Sequence, residues 1–212
     1  MTASPSAAPA VPDARSPRDR LLDAAAAVMT ETETAEISLH AIARRAGVTA
    51  PLATYYFRTK EGLLLALARR DTERSLQQLQ DLLAMDVPAD ELLRIHISGI
   101  IRNYARRPYL NRLLHLLLRD AASAAAQEIK DRFVVPLVAA QRTIIARGIA
   151  EGRFRPIDPA LAHFLIVGAC QQLFTNTITV ETVLGRRPDE TTINRYARLV
   201  LDVFLNGVAE RE

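Results

Sequence analysis

From Pro17 onward the apolar residues recur at helical spacing. Leu21, Leu22, Ala25, Val28 and Met29 share one face and predict a helix to about Glu31, with Pro17 suited to a first helical position. Ser38 predicts the N-cap of a second helix carrying Leu39, Ile42, Ala43 and Ala46 on one side, and Gly47 closes it. A short third helix follows from about Thr49 to Phe57, and a fourth runs from near Lys60 to about Ala84. After Pro88 the same periodicity predicts helices over 89–106, 108–120, 124–151, 158–178 and 190–207, with breaks at Pro108, Gly152 to Pro156 and Gly185 to Pro188. No period-2 alternation bounded by turns interrupts this series, so the predicted fold is all-α. No fixed-period repeat is present.

One predicted helix does not fit a packing role. The stretch GVTAPLATYYFRTK, residues 47–60, has Leu52 and Phe57 as its chief apolar contacts but displays two adjacent tyrosines, three threonines and two cations. Two helices joined by a short Gly-containing turn, SLHAIARRA-GVT-APLATYYF, have helix-turn-helix spacing. There the first helix packs and the second enters the DNA major groove, while hydroxyls and cations hold phosphates. A small polar helix filling a bundle corner has the same pattern, so the spacing alone leaves both readings open.

The residues of this stretch go further than spacing. Ile42-Ala43, Ala46-Gly47-Val48-Thr49, Tyr55-Tyr56-Phe57 and Thr59-Lys60-Glu61, followed by Leu63, resemble the DNA-binding module of the TetR family of transcriptional regulators over about residues 17–68. Ala53 stands where that family usually has Leu or Ile, and Thr54 where it often has Tyr or His. The resemblance implies a three-helix DNA-binding domain (17–62) after an N-terminal arm (1–16), then a helical ligand-binding and dimerisation domain (63–212). Carried over by position, it implies phosphate contacts at Ser38, Thr49, Tyr55 and Lys60 and an approach to base edges by Ala50, Pro51 and Thr54. Because Ala50 and Pro51 have no hydrogen-bonding side chain, base reading would rest on Thr54, on methyl contacts, or on His40, Arg44 and Arg45 nearby, with Tyr56 also on the display side.

Past the fourth helix, LAHFLIVGACQQLF (161–174) is apolar nearly all round and must be covered on both sides. The last helix is similarly over-provided, with Ile193, Tyr196, Ala197, Val200, Leu201 and Phe204 on one face and Leu199, Val203 and Leu205 beyond it. Either these are internal core helices of a monomer or, as the resemblance also implies, segments 158–178 and 190–207 form a two-fold homodimer interface. Pro136, in mid-helix, should kink its helix and leave the Arg132 carbonyl without its usual partner. Beside it, His96, Gly99 and Asn103 form a stripe next to the apolar face holding Tyr104. That stripe is either a ligand-lining wall or a partly wet helix edge. We take His96, Gly99, Asn103, Tyr104, His115, Phe133 and Phe174 as candidate ligand residues. The stripe Arg112, His115 and Arg119 reads as a solvated face or an anion-binding edge.

Composition adds limits. The net charge of +3 and pI near 9.3 are a mild basic bias, compatible with a nucleic-acid partner. All 27 cations are arginine except Lys60 and Lys130. Residues 1–16, with three prolines, predict a disordered arm. The single Cys170 excludes an intrachain disulfide framework and reads as core. With no leader-like segment and no uninterrupted apolar run of about 18 residues, the expectation is a soluble, cytoplasmic protein without a membrane partner. His-Glu-x-x-His, phosphate-loop and Gly-x-Ser-x-Gly patterns are missing, and the four histidines are scattered, so no enzyme activity, cofactor or metal is expected. The function expected from the whole is a homodimeric repressor on a pseudo-palindromic double-stranded DNA operator, released by a small, largely apolar effector. The alternative is a helical ligand-binding or scaffolding protein that does not read DNA specifically.

Overall fold

The computed structural model describes residues 15–208, so most of the predicted arm lies outside the described residues. Among these, the regular structure is helical: α1 (Pro17–Glu31), α2 (Leu39–Arg45), α3 (Ala50–Phe57), α4 (Lys60–Leu83), α5 (Ala89–Arg106), α6 (Tyr109–Leu118), α7 (Ala124–Ile129), a π-turn (Lys130–Val134), α8 (Val135–Ala150), α9 (Pro159–Gln172), α10 (Thr177–Leu184) and α11 (Glu190–Val208). Local chemistry sets the starts. Ser16, Ser38, Thr49, Thr59, Ser123, Asp158 and Asn176 each accept a backbone N–H inside the first turn of the helix they precede.

Two differences from the periodicity have physical causes. The expected helix over 158–178 stops at Gln172, because Asn176 caps a separate α10 by accepting from Thr179 N–H at 2.9 Å, and Gly185 ends that helix at φ +71°. The expected helix over 124–151 is interrupted by the π-turn, in which the Val135 N–H bonds to Lys130 O, one residue wider than α geometry. Pro136 then falls in the first turn of α8, directly after the π-turn. Ala124–Ala150 as a whole is long and apolar enough to cross a membrane, but here it is broken at the π-turn, and Ala140, Ile144 and Ile145 pack inside.

Two apolar cores share α4. The first gathers Leu21, Leu22 and Met29 from α1, Ile42 from α2, Ala53 and Phe57 from α3, and Leu63, Leu64 and Leu67 from α4, and is closed by Leu110, Leu113 and Leu117 of α6 with Ile129 of α7. Three helices over so short a segment bury little surface alone, so α6 and α7 supply the missing wall. The second core packs the far end of α4 with α5, α8, α9 and α11.

Where the cores meet, α4 carries a charge inside. Asp71 is 3% exposed. Its carboxylate accepts from the Tyr109 hydroxyl at 2.5 Å and from Arg70 Nε at 3.2 Å, and it pairs with Arg107 Nε at 3.6 Å. Arg70 also donates to Asp23 of α1 at 2.7 Å. Burial opposes the Arg70 charge, but the Asp23 bond and the Asp71 carboxylate more than offset it, so its pKa is raised. Burial and the bond to Asp71 likewise push the Tyr109 hydroxyl well up.

Two glycines divide sharply. A Cβ on Gly148 would lie 2.0 Å from the Phe154 ring, itself 2% exposed, whereas one on Gly99 meets nothing within 4 Å. Gly148→Ala should therefore lose about 1–3 kcal/mol through overpacking. Gly99→Ala should gain roughly 0.5–1 kcal/mol by helix propensity. Urea unfolding followed by circular dichroism measures both, and equal signs would contradict the packing described.

Candidate nucleic-acid interface and cavity

The short helix α3 buries little. Only Ala53 and Phe57 are buried, with Leu52 half-buried, and the small Ala53 lets α3 sit close on the helices beneath it. The opposite side is open: Thr49, Pro51, Thr54, Tyr55 and Tyr56 are exposed, Tyr55 at 79%, and Ala50 is half-buried at the helix start. The two tyrosine rings meet edge to face at 5.5 Å. The Thr54 hydroxyl donates to Ala50 O at 3.1 Å, so toward solvent it offers an acceptor oxygen and a methyl group. Ser38 and Thr49 use their oxygens as cap acceptors, at 3.1 Å from Ala41 N and 3.4 Å from Leu52 N. Each hydroxyl hydrogen is left for an outside acceptor such as a phosphate.

Around α3 the chain places cations. Lys60 is half-buried at the start of α4, while Arg44, Arg58 and His40 are exposed. Arg45 is held by Glu31 at 2.5 Å. Sequence reasoning missed Arg58, which turns the chain at φ +62° between α3 and α4. That turn brings Phe57 O within 2.3 Å of where a Cβ on Gly62 would stand, which requires glycine there. Arg18 of α1 lies over the Phe57 ring at 5.6 Å and fixes the back of the turn.

A cavity of about 630 Å³ opens between α4, α5, α6, the π-turn with α8, and α9. His96, Gly99, Asn103, Tyr104, His115 and Phe133 line it. Phe174 does not; it stacks behind Tyr104 at 6.2 Å between ring centres. The stripe through Arg112 divides: His115 reaches the cavity and Arg119 is exposed, but Arg112 is half-buried against α1, donating to Met29 O at 3.4 Å. Two walls were absent from the sequence reading. From α4 come Ser75, Gln78 and Leu79, and from α9 come His163, Val167 and Gln171. The α9 residues stand four apart, a stripe that uniform apolarity hid.

Three helices share a polar relay at the cavity wall. His163 Nδ1 lies 2.7 Å from Gln141 Oε1, and Gln141 Nε2 lies 2.9 Å from His96 Nε2. The amide oxygen can only accept, so His163 donates from Nδ1. The amide nitrogen can only donate, so His96 Nε2 accepts and its proton sits on Nδ1. Gln141 is 2% exposed and His96 6%. Burial, with the neighbouring His163, pulls the His96 pKa from 6.5 down to about 4, and burial lowers that of His163. Burial also raises Tyr104 and Cys170 to about 12 each, so both are neutral at pH 7. No group of three or more metal-ligating side chains occurs among the described residues.

Residues 21–67 match the model of bacterial regulatory proteins of the tetR family, and residues 86–211 match the tetracyclin repressor-like C-terminal domain. The HTH-type transcriptional regulator RutR of Escherichia coli is 26% identical over 177 residues, covering 82% of this chain and 81% of that protein. The transcriptional regulator FadR from Bacillus subtilis, solved in complex with stearoyl-CoA, superposes with a TM-score of 0.70 at 22% identity over 89% of this chain and 98% of that one. The ketosteroid transcriptional regulator KstR2 of Mycobacterium tuberculosis gives 0.70 at 20% identity over 94% and 98%.

The buried histidine has a measurable consequence. Its folded pKa lies below its unfolded value, so the stability it allows is complete above pH 6.5 and is lost as pH falls from 6.5 towards 4, where the unfolded chain takes up a proton that the folded one excludes. The loss is on the order of 3 kcal/mol. His96→Asn should flatten the stability curve across that window relative to wild type in urea unfolding at stepped pH. A variant as acid-sensitive as wild type would place the titration elsewhere.

Proposed function

The chain belongs to the TetR family of bacterial regulatory proteins, and from that premise we propose that it is a repressor: a two-fold dimer holding a pseudo-palindromic operator and released by a small, largely apolar effector in the cavity between α4, α5, α6, α8 and α9. The observation that carries the reading is α3 itself, a helix whose solvent side consists of Thr49, Pro51, Thr54, Tyr55 and Tyr56. In this proposal residues 17–62 form the reading head and 63–212 the ligand-binding and dimerisation part. Ser38, Thr49, Tyr55 and Lys60 hold phosphates, with His40, Arg44 and Tyr56 at the flanks. Ala50, Pro51 and Thr54 approach base edges. Because the Thr54 proton is spent on Ala50 O, Thr54 selects a base-edge donor or a thymine methyl.

Support for the two-fold assembly is a band of large apolar side chains facing solvent. Leu161, Phe164 and Leu165 on α9 and Leu199 and Val203 on α11 are exposed, Phe164 at 73%. Apolar residues around the cavity, such as Leu79, Ile100, Leu114, Leu118 and Val167, support a largely apolar effector, and a FadR of similar fold was solved with stearoyl-CoA, of which the acyl chain is the apolar part. A route from cavity to head is also present. Arg107 lines the cavity and pairs with Asp71, which engages Arg70, which donates to Asp23 on α1. An effector that prefers a different position of Arg107 shifts the population of head positions by its difference in affinity for the two.

Base reading and phosphate holding separate in one experiment. Titrate wild type, Lys60→Ala, Tyr55→Phe and Thr54→Ala against singly substituted operators, drawn from DNA flanking the coding region, at several salt concentrations. Lys60→Ala should weaken all sites alike and reduce the log-log salt slope by about one unit per half-site. Tyr55→Phe should weaken binding without changing base preference. Thr54→Ala should cost about 1 kcal/mol or more at particular base pairs and relax the preference there. If all three bind like wild type, α3 is not the reading head.

A further inference from the structure

The charges around the cavity are one-sided. The chain as a whole has 27 cationic and 24 acidic residues, yet the cavity is lined by Arg74, Arg102, Arg106 and Arg107 and by no aspartate or glutamate. Arg107 is occupied, bonding Asn103 and pairing with Asp71. The other three have no hydrogen bond or ion pair among the described residues. Arg102 and Arg106 stand one turn apart on α5, and Arg74 comes from α4 on the same cavity. A second observation points inward. His96 is buried, lines the cavity and spends Nε2 on Gln141, while its protonated Nδ1 has no partner among the described residues.

Building on the cavity as effector site, we propose that its effector is an amphipathic oxyanion: a carboxylate or phosphate head received by Arg74, Arg102 and Arg106, with an apolar body seated against residues such as Leu79, Ile100 and Leu114. Guanidinium groups suit this head because their forked N–H donors match two oxygens at once. An uncharged ligand of the same shape would make no use of these three cations. A cationic ligand would be repelled by them. His96 has the complementary role. Its ring is neutral at pH 7, so Nδ1–H suits an uncharged oxygen on the body of the ligand rather than its charged head. The groups facing His96 are His163, through Gln141, and the cavity itself; no carboxylate of α4, α5, α8 or α9 lines that wall. The arginine head site also adjoins Arg107, so a bound oxyanion competes with Asp71 for that guanidinium.

Matched probes test the charge directly. Titrate the full-length protein by calorimetry with decanoate, decyl phosphate, decanol and decylammonium, and with naphthoate and naphthol as a second body, in wild type and in the combined Arg74→Gln, Arg102→Gln, Arg106→Gln variant. At least one acid should bind wild type about tenfold or more tighter than its alcohol, since hydrogen bonds to charged groups are the stronger class. In the variant, its affinity should fall to that of the alcohol, which itself should not change. An unaltered melting temperature in the variant shows that folding is intact, as expected for exposed side chains. Equal binding of acid and alcohol to wild type, or an acid preference that survives the three substitutions, overturns the oxyanion and leaves the cavity as effector site. Failure of every probe to bind overturns the cavity reading and the proposal with it.

Discussion

A carboxylate inside a helical protein must be neutralised or it unfolds the site that holds it, and Asp71 sits at 3% exposure in the middle of α4. Meeting that demand takes Tyr109 from the start of α6, Arg107 from the end of α5 and Arg70 from α4 itself, and Arg70 carries the connection to Asp23 on α1. Each of these groups adds a donor or a positive charge to the same carboxylate. The buried carboxylate thus ties α4 to α5 and α6 directly and to α1 through Arg70. A buried charge is not needed for stability as such. Its effect here is to make one arrangement of four helices the satisfied one.

The sequence made some of this legible. Cap residues, glycines and the 3.6-residue period located most of the helices, the residues of 47–60 showed the polar face of α3, and the family resemblance in 17–68 implied its role. What escaped came from outside each segment. Nothing in the pattern of α4 marks Asp71 as buried, since it follows Arg69 and Arg70 and reads as one more surface charge. Asn176 and Gly185 do carry the signals of α10, but the apolar run before them masks where α9 ends. Around Pro136 the periodicity gave no sign of the π-turn over Lys130–Val134 that precedes the proline.

Helix α9 shows why an all-apolar helix was hard to interpret. Its residues divide among three environments at four-residue spacing. Ala162, Ile166 and Cys170 enter the second core, His163, Val167 and Gln171 line the cavity, and Leu161, Phe164 and Leu165 face out. The ring of His163 meets that of Phe164 edge to face at 5.4 Å, so the cavity wall and the outer face are one side chain apart. In the proposed dimer, a ligand touching His163 would act one contact away from the partner subunit. Together with the Asp71 route, this gives the cavity two short connections, one to the proposed reading head and one to the proposed dimer contact.

The proposed function requires two reading heads held at a defined separation by a two-fold assembly. Spin labels placed at Glu36→Cys, on an exposed position just before α2, measure that separation, and the native Cys170 is fully buried and does not compete for the label. Electron–electron double resonance on the full-length protein with operator DNA should give one narrow intermolecular distance. Absence of intermolecular coupling, or a broad distribution that DNA does not narrow, would contradict the account.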